Sequence, residues 1–151
     1  ARSREAWLAL RQSFASGDIK KTYLAVVHDR PIGVECEEPI LQQGKRVQID
    51  YAGLEAHTTW KELARSDHYA LLQCWAHTGR MHQVRAHLAY CGSPIVGDTL
   101  YGGTEQELGH FLHAAEISLS HPETGERVHF EAALPAERSQ WLADHGLSVP
   151  G

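Results

Sequence analysis

The stretch Thr78-Gly79-Arg80-Met81-His82-Gln83-Val84-Arg85-Ala86-His87 marks the point where the periodicity of the chain changes. Upstream of it, His57 to Leu63 and His68 to Ala76 read as two paired strands, with Arg65-Ser66-Asp67 between them. Downstream, Met81, Val84, Leu88 and Cys91 recur at three- and four-residue spacing, which predicts a helix over Arg80–Tyr90. Thr78 is placed to cap this helix and Gly92 to end it. The strand-to-helix junction carries two Arg, two His and one Gln. A helix N-terminus offers free N–H groups and a partial positive charge, so it attracts anions. Arg80, Arg85 and the imidazoles would strengthen that attraction, with phosphate or carboxylate as the natural partner. Spacing alone leaves a second reading open, in which these residues form the solvated polar face of an amphipathic helix.

Working outward, Lys21 to His28 is rich in β-formers and reads as a strand ended by Asp29-Arg30-Pro31. Arg4 to Ser16 reads as a helix, with Ser3 to cap it and Gly17 to end it. Arg46 to Tyr51 alternates apolar and polar residues, and Asp50 to Gly53 follows as a turn. Ser93 to Gly102 is loop-like. His113 to Ser120 and Arg127 to Ala132 read as a hairpin around Pro122-Glu123-Thr124-Gly125, and Pro135 precedes a last helix that ends at Gly146. There is no repeat, low-complexity tract or linker. The expectation is one domain over residues 1–151, of α+β class, with a mixed, mostly antiparallel β-sheet and flanking helices.

A chain of 151 residues with 42% hydrophobic and 22% charged residues suits one globular domain with a real core. No apolar run approaches the roughly 18 residues of a membrane span, so no transmembrane helix is expected. Cys36, Cys74 and Cys91 are odd in number, and no CxxC pair occurs. This argues against a disulfide framework or zinc ribbon and points to a reducing, cytoplasmic setting. The net charge of −5 by itself argues against nucleic-acid binding. The charge is uneven, however. Lys20-Lys21, Lys45-Arg46 and Arg80 to His87 are basic groups, while Glu126, Glu131, Glu137 and Asp144 fall towards one end. A basic cleft on an acidic body is compatible with this. A metal-dependent hydrolase is disfavoured, because His77, His82 and His87 lie five residues apart and spread around a helix, and HExxH is absent.

The motif Thr-Gly-Arg-x-His-Gln-hydrophobic-Arg-x-His over Thr78 to His87, followed by Pro94-Ile95-Val96-Gly97-Asp98-x-x-Tyr101-Gly102, resembles the signature of the RluA-type RNA pseudouridine synthases. Further stretches agree in order and spacing. Lys20-Lys21-Thr22-Tyr23 resembles the family's Lys-x-Tyr motif, and Ala56-x-Thr58-x-Trp60 its Ala-x-Thr-x-aromatic strand. Leu112-His113-Ala114, His121-Pro122-x-Thr124-Gly125-Glu126 and Phe130-x-Ala132-x-Leu134-Pro135 resemble its late hairpin and close.

The resemblance implies isomerisation of uridine to pseudouridine in structured RNA, rRNA or tRNA, with no metal or organic cofactor. The target base leaves the stack before reaction. Two catalytic roles map onto this chain. Arg85 matches the arginine that pairs with the family's catalytic aspartate, where an adjacent guanidinium keeps the carboxylate ionised. Tyr23 matches the tyrosine that stacks on the target base. Arg80, His82 and Gln83 are expected to bind the substrate RNA or to hold the active-site loop. Asp98 is expected to be a structural turn residue, and Lys20 and Lys21 a solvated strand entry or neighbours of an RNA phosphate.

One departure stands out. The family's catalytic aspartate lies in an Arg-Leu-Asp motif, and no Arg-Leu-Asp occurs here. The expectation is therefore the C-terminal portion of the catalytic domain, unable to isomerise uridine alone. Its exposed sheet edges would be covered by self-association or a partner. Met81 and Ala86 are smaller departures that leave Arg85 and His82 in place. The competing class is a non-catalytic RNA- or protein-binding module derived from the same fold.

Overall fold

The computed structural model describes residues 20–106, 108–120 and 127–147. The helix expected over Arg4–Ser16 and the hairpin turn Pro122–Gly125 lie outside them. Strand β1, Lys20–His28, has Ala25, Val26 and Val27 fully shielded in succession. Successive strand residues point to opposite faces, so both faces of β1 are covered. It lies between β6 and β7 of a six-stranded sheet of order β2-β5-β6-β1-β7-β8. The members are β2 (Glu35–Cys36), β5 (Thr58–Arg65), β6 (Tyr69–Ala76), β7 (Leu112–Ser120) and β8 (Arg127–Glu131). Every pairing is antiparallel. β3 (Ile40–Gln43) and β4 (Arg46–Ile49) form a separate hairpin, with Gly44 at φ 67° in its two-residue turn. The remaining elements are helix α1 (Gln83–Tyr90), a 3₁₀ turn (Thr99–Tyr101) and helix α2 (Ala136–Asp144). The α+β class and the mostly antiparallel sheet agree with the sequence. β2 and β3 were not expected from it.

The core joins the sheet to both helices. Val26, Leu71, Leu72 and Cys74 pack with Val84 and Leu88 of α1, Ile95, Val96, Phe111, and Leu142 and Leu147 at the chain's end. A smaller cluster of Ile40, Val47, Ala56 and Ala86 fastens the β3–β4 hairpin to α1, with Met81 and Tyr101 against it. Helix α1 stops where the sequence places its stop. Gly92 has φ 90°, its N–H donates to Ala89 O at 3.1 Å, and Ser93 N–H donates to Leu88 O at 3.0 Å. This is the Schellman arrangement. The helix starts three residues later than expected, and Thr78 does not cap it. His82, the residue before α1, sits at φ 52° in the left-handed region with no side-chain cap.

After α1 the chain is stitched back onto β1. Val96 N–H donates to Val26 O at 2.8 Å, His28 N–H to Pro94 O at 3.0 Å, and Val26 N–H to Phe111 O at 3.1 Å. Gly97, at φ 85°, closes this crossing by lying directly on the Gly109 backbone. A Cβ there would overlap the Gly109 carbonyl. Gly97→Ala is expected to cost about 2 kcal/mol or more of stability. Gly44→Ala, also at positive φ but with nothing within 4 Å of its Cβ, should cost only about 1 kcal/mol. Urea unfolding of the two variants checks this, and equal costs would rule out the Gly109 contact as the limiting one.

Candidate active site

The junction Thr78–His82 is a loop built around one amide. Gln83, at the start of α1, is 4% exposed. Its Oε1 accepts the Thr78 hydroxyl at 2.6 Å and the Arg80 N–H at 3.1 Å. Its Nε2 donates to His57 O at 2.8 Å and to Thr58 Oγ1 at 2.9 Å. An amide side chain offers two donors and two acceptor positions, so Gln83 is saturated. Its role here is to hold the loop, and it has no donor left for substrate. Thr78 spends its hydroxyl on this amide and accepts the His57 N–H at 3.0 Å, which is why it is not a helix cap. The chain of bonds continues. His87 Nε2–H donates to Glu38 O at 2.8 Å, which leaves Nδ1 of the neutral ring to accept the Thr58 hydroxyl at 2.8 Å. His87 is fully buried, and burial lowers its pKa. It is a neutral core residue, and the expectation that it adds to anion attraction is corrected.

Above this loop lies a cavity of about 270 Å³. Tyr23, Arg80, His82, Gln83 and Arg85 all border it, together with Lys21, Thr78, His110 and Leu112. The structure thus brings together every residue that the motifs singled out for the site. Among the described lining residues three are Lys or Arg, two are His and none is Asp or Glu. Lys21 and Tyr23 share the cavity because residues two apart on a strand face the same way. Burial raises the Tyr23 pKa, keeping a neutral phenol, and lowers that of Lys21. Arg80 is anchored by its Nε–H on Glu55 O at 2.7 Å. His82 and His110 both have lowered pKa values, from desolvation first and the Arg85 charge second. A second, more apolar cavity of about 420 Å³ adjoins the first at Gly79 and Arg80, walled by Ile40, Leu41, Leu54 and Met81.

Arg85 already has a carboxylate partner within the chain. Its Nε–H donates to Asp98 Oδ2 at 2.8 Å and its Nη2–H to Asp98 Oδ1 at 2.9 Å. This bidentate pair raises the Arg85 pKa further. Asp98 does head a turn, as expected, but its side chain leaves that turn and crosses to Arg85. The sequence reading missed this contact, as it missed His110. Glu35, Glu37 and His57 gather with ligand atoms within 4.8 Å of one another, and none of the three lines the cavity.

The buried imidazole gives a pH dependence with a definite sign. In the unfolded chain His87 takes up a proton near pH 6.5, whereas in the folded protein its pKa is lowered. Stability is therefore full above about pH 6.5 and falls as pH drops from there towards the folded pKa, by up to about 1.4 kcal/mol per pH unit. Denaturant unfolding at several pH values should show this loss, and a smaller slope in His87→Gln. An unchanged slope would assign the titration to another group.

Comparison with known proteins bears on the family of the chain. A family model described as RNA pseudouridylate synthase matches residues 1–90. The uncharacterized RNA pseudouridine synthase YjbO of Bacillus subtilis strain 168 is 36% identical over 148 residues, covering 94% of this chain and 52% of the relative. Ribosomal large subunit pseudouridine synthase C of Salmonella typhimurium is 34% identical, covering 89% of this chain and 47% of the relative. The chain spans about half the length of these relatives. Among solved structures, human RNA pseudouridylate synthase domain containing 4 superposes with a TM-score of 0.81 at 19% identity, covering 99% of this chain and 70% of that one. That likeness bears on the fold alone. With the model matching more than half of its residues, and with motifs that resemble the RluA-type enzymes, this chain belongs to the RNA pseudouridylate synthase family.

Proposed function

We propose that this chain forms the base-holding portion of an enzyme that isomerises uridine to pseudouridine in structured RNA, rRNA or tRNA, in the cytoplasm. The observation that carries this reading is the cavity itself. Tyr23 stands in its wall, Lys21, Arg80 and Arg85 surround it, and no described lining residue is acidic. An extruded nucleobase needs an aromatic or apolar face, and its flanking phosphates need cations. The reaction breaks the bond from C1′ to N1, forms one from C1′ to C5, releases the C5 proton and returns one to N1. Tyr23 is assigned to the base, beside C5. Arg80 and Lys21 are assigned to phosphate. His82 offers its Nε2 to the substrate, since its Nδ1 is taken by the Tyr101 hydroxyl at 2.7 Å. Arg85 is assigned to orient a carboxylate that attacks or stabilises the ribose.

That carboxylate has no counterpart in an Arg-Leu-Asp motif of this chain. The chain alone is therefore expected to bind RNA without turning it over. A binding module without chemistry is the second reading, favoured by the absence of a carboxylate among the described lining residues. The free cysteines Cys36, Cys74 and Cys91 suit a reducing compartment.

Tritium release from RNA carrying 5-tritiated uridine tests the proposal. The expected result is no release by this chain and release by the same chain extended by its own upstream coding sequence, lost again in Tyr23→Ala and Arg85→Ala. Release by this chain alone would refute the need for an outside carboxylate. Inactivity of the extended protein on total rRNA and tRNA would favour the binding module. Arg80→Ala should weaken RNA binding across sequences. It should also reduce the slope of log affinity against log salt by about 0.7–0.9, one phosphate contact. An unchanged slope would remove Arg80 from the phosphate path.

A further inference from the structure

We propose that the 3₁₀ turn after Gly97 is the positioning element of the site, with Asp98 fixing Arg85 and Tyr101 fixing His82. The proposal rests on the assignment of Arg85 to a catalytic carboxylate. Neither Asp98 nor Tyr101 borders the cavity at Tyr23, so both act through the residues that do.

Asp98 stands at the head of Thr99–Tyr101, where an aspartate would ordinarily cap its own turn. Here it makes no such bond. The turn is closed by the backbone instead, with Tyr101 N–H and Gly103 N–H donating to Asp98 O at 3.2 and 2.8 Å. Both carboxylate oxygens are thereby released for Arg85. The Asp98 side chain is 1% exposed and that of Arg85 15%. A carboxylate so buried cannot exchange this partner for water without a large desolvation cost. The two parallel bonds fix the guanidinium plane. They use two of its five N–H groups and leave three for a second acceptor. Arg85 thus presents a fixed, half-occupied fork.

The same turn also sets an aromatic ring against Arg85. The Tyr101 ring lies 5.2 Å from Arg85 Cζ and 5.7 Å from Arg46 Cζ, within reach of a cation–π attraction. Its hydroxyl accepts the Val47 N–H at 3.0 Å and shares a second hydrogen bond with His82 Nδ1 at 2.7 Å. That bond fixes the plane of the His82 ring and leaves Nε2 free of the Tyr101 hydroxyl. One short turn therefore sets the orientation of a guanidinium and of an imidazole on the cavity wall. It is held in place by the Gly97 crossing onto β1.

The test uses the extended, tritium-releasing protein, with kcat and KM for RNA measured separately. Asp98→Asn keeps the shape and the backbone bonds of the turn but can accept only one of the two Arg85 N–H groups. It is expected to lower kcat roughly 10- to 100-fold, with KM unchanged. In an Arg85→Lys background, where the fork is already lost, Asp98→Asn should add little further loss. Tyr101→Phe keeps the ring under Arg85 and removes the hydroxyl, and should also lower kcat without raising KM. If Asp98→Asn costs the same factor with or without Arg85→Lys, or leaves kcat unchanged, Asp98 does not act through Arg85 and the proposal falls. Should Asp98→Asn fail to fold, an unchanged kcat in Tyr101→Phe overturns it. An inactive unsubstituted protein would remove the activity reading beneath the proposal, which is distinct from an active protein indifferent to Asp98.

Discussion

The four hydrogen bonds of the Gln83 amide hold the site in its present shape. They tie the ends of β5 and β6 to the first residue of α1 through His57, Thr58, Thr78 and Arg80. A buried amide with all positions filled gains little by comparison with water, but any unfilled position costs on the order of 1–3 kcal/mol. The loop is therefore held less by attraction than by the absence of a satisfactory alternative. Arg80, His82 and Arg85 inherit their directions from it. The further path through Thr58 and His87 to Glu38 carries the same constraint into the segment before β3.

Much of this was legible in the chain. The strands of Lys21 to His28 and His68 to Ala76 are dense in β-formers, and their buried faces demand pairing. The period of Val84, Leu88 and Cys91 gave the helix, and Gly92 gave its stop. What local reading could not give is the partner of a polar side chain. Thr78 looks like a cap because its neighbours in sequence offer N–H groups, yet its hydroxyl meets a glutamine and a backbone group of β5. Gln83 looks like a substrate ligand because it sits among Arg and His, yet its amide is spent on the loop. Asp98 looks like a turn residue for the same local reason. Thirteen residues separate it from Arg85, and only the fold sets that contact. β3 was missed because Ile40 to Gln43 is too short to show a period, although Gly44 marks its turn.

The electrostatics resolve an apparent conflict in composition. The chain carries a net charge of −5, yet the cavity is ringed by cations. Arg85 is half-neutralised by Asp98 from behind, and burial keeps the Tyr23 phenol uncharged. Lowered pKa values keep the two bordering histidines neutral near pH 7. The attraction for an anion is thereby concentrated at Lys21, Arg80 and the outer edge of Arg85. Net charge describes the average surface, and an anionic ligand responds to the local one.

The β3–β4 hairpin has its own small apolar cluster and its own two-stranded sheet, separate from the six-stranded one. It also forms one side of the second cavity, next to the first. Length changes at its tip, or exchanges on its outward residues, leave the register of the six strands untouched. The scaffold thus separates two kinds of selection. Drift in the large sheet is punished by loss of the fold, whereas drift in the hairpin reshapes the second cavity beside the first. Divergent members of such a lineage could keep one chemistry while exchanging the neighbourhood in which they perform it.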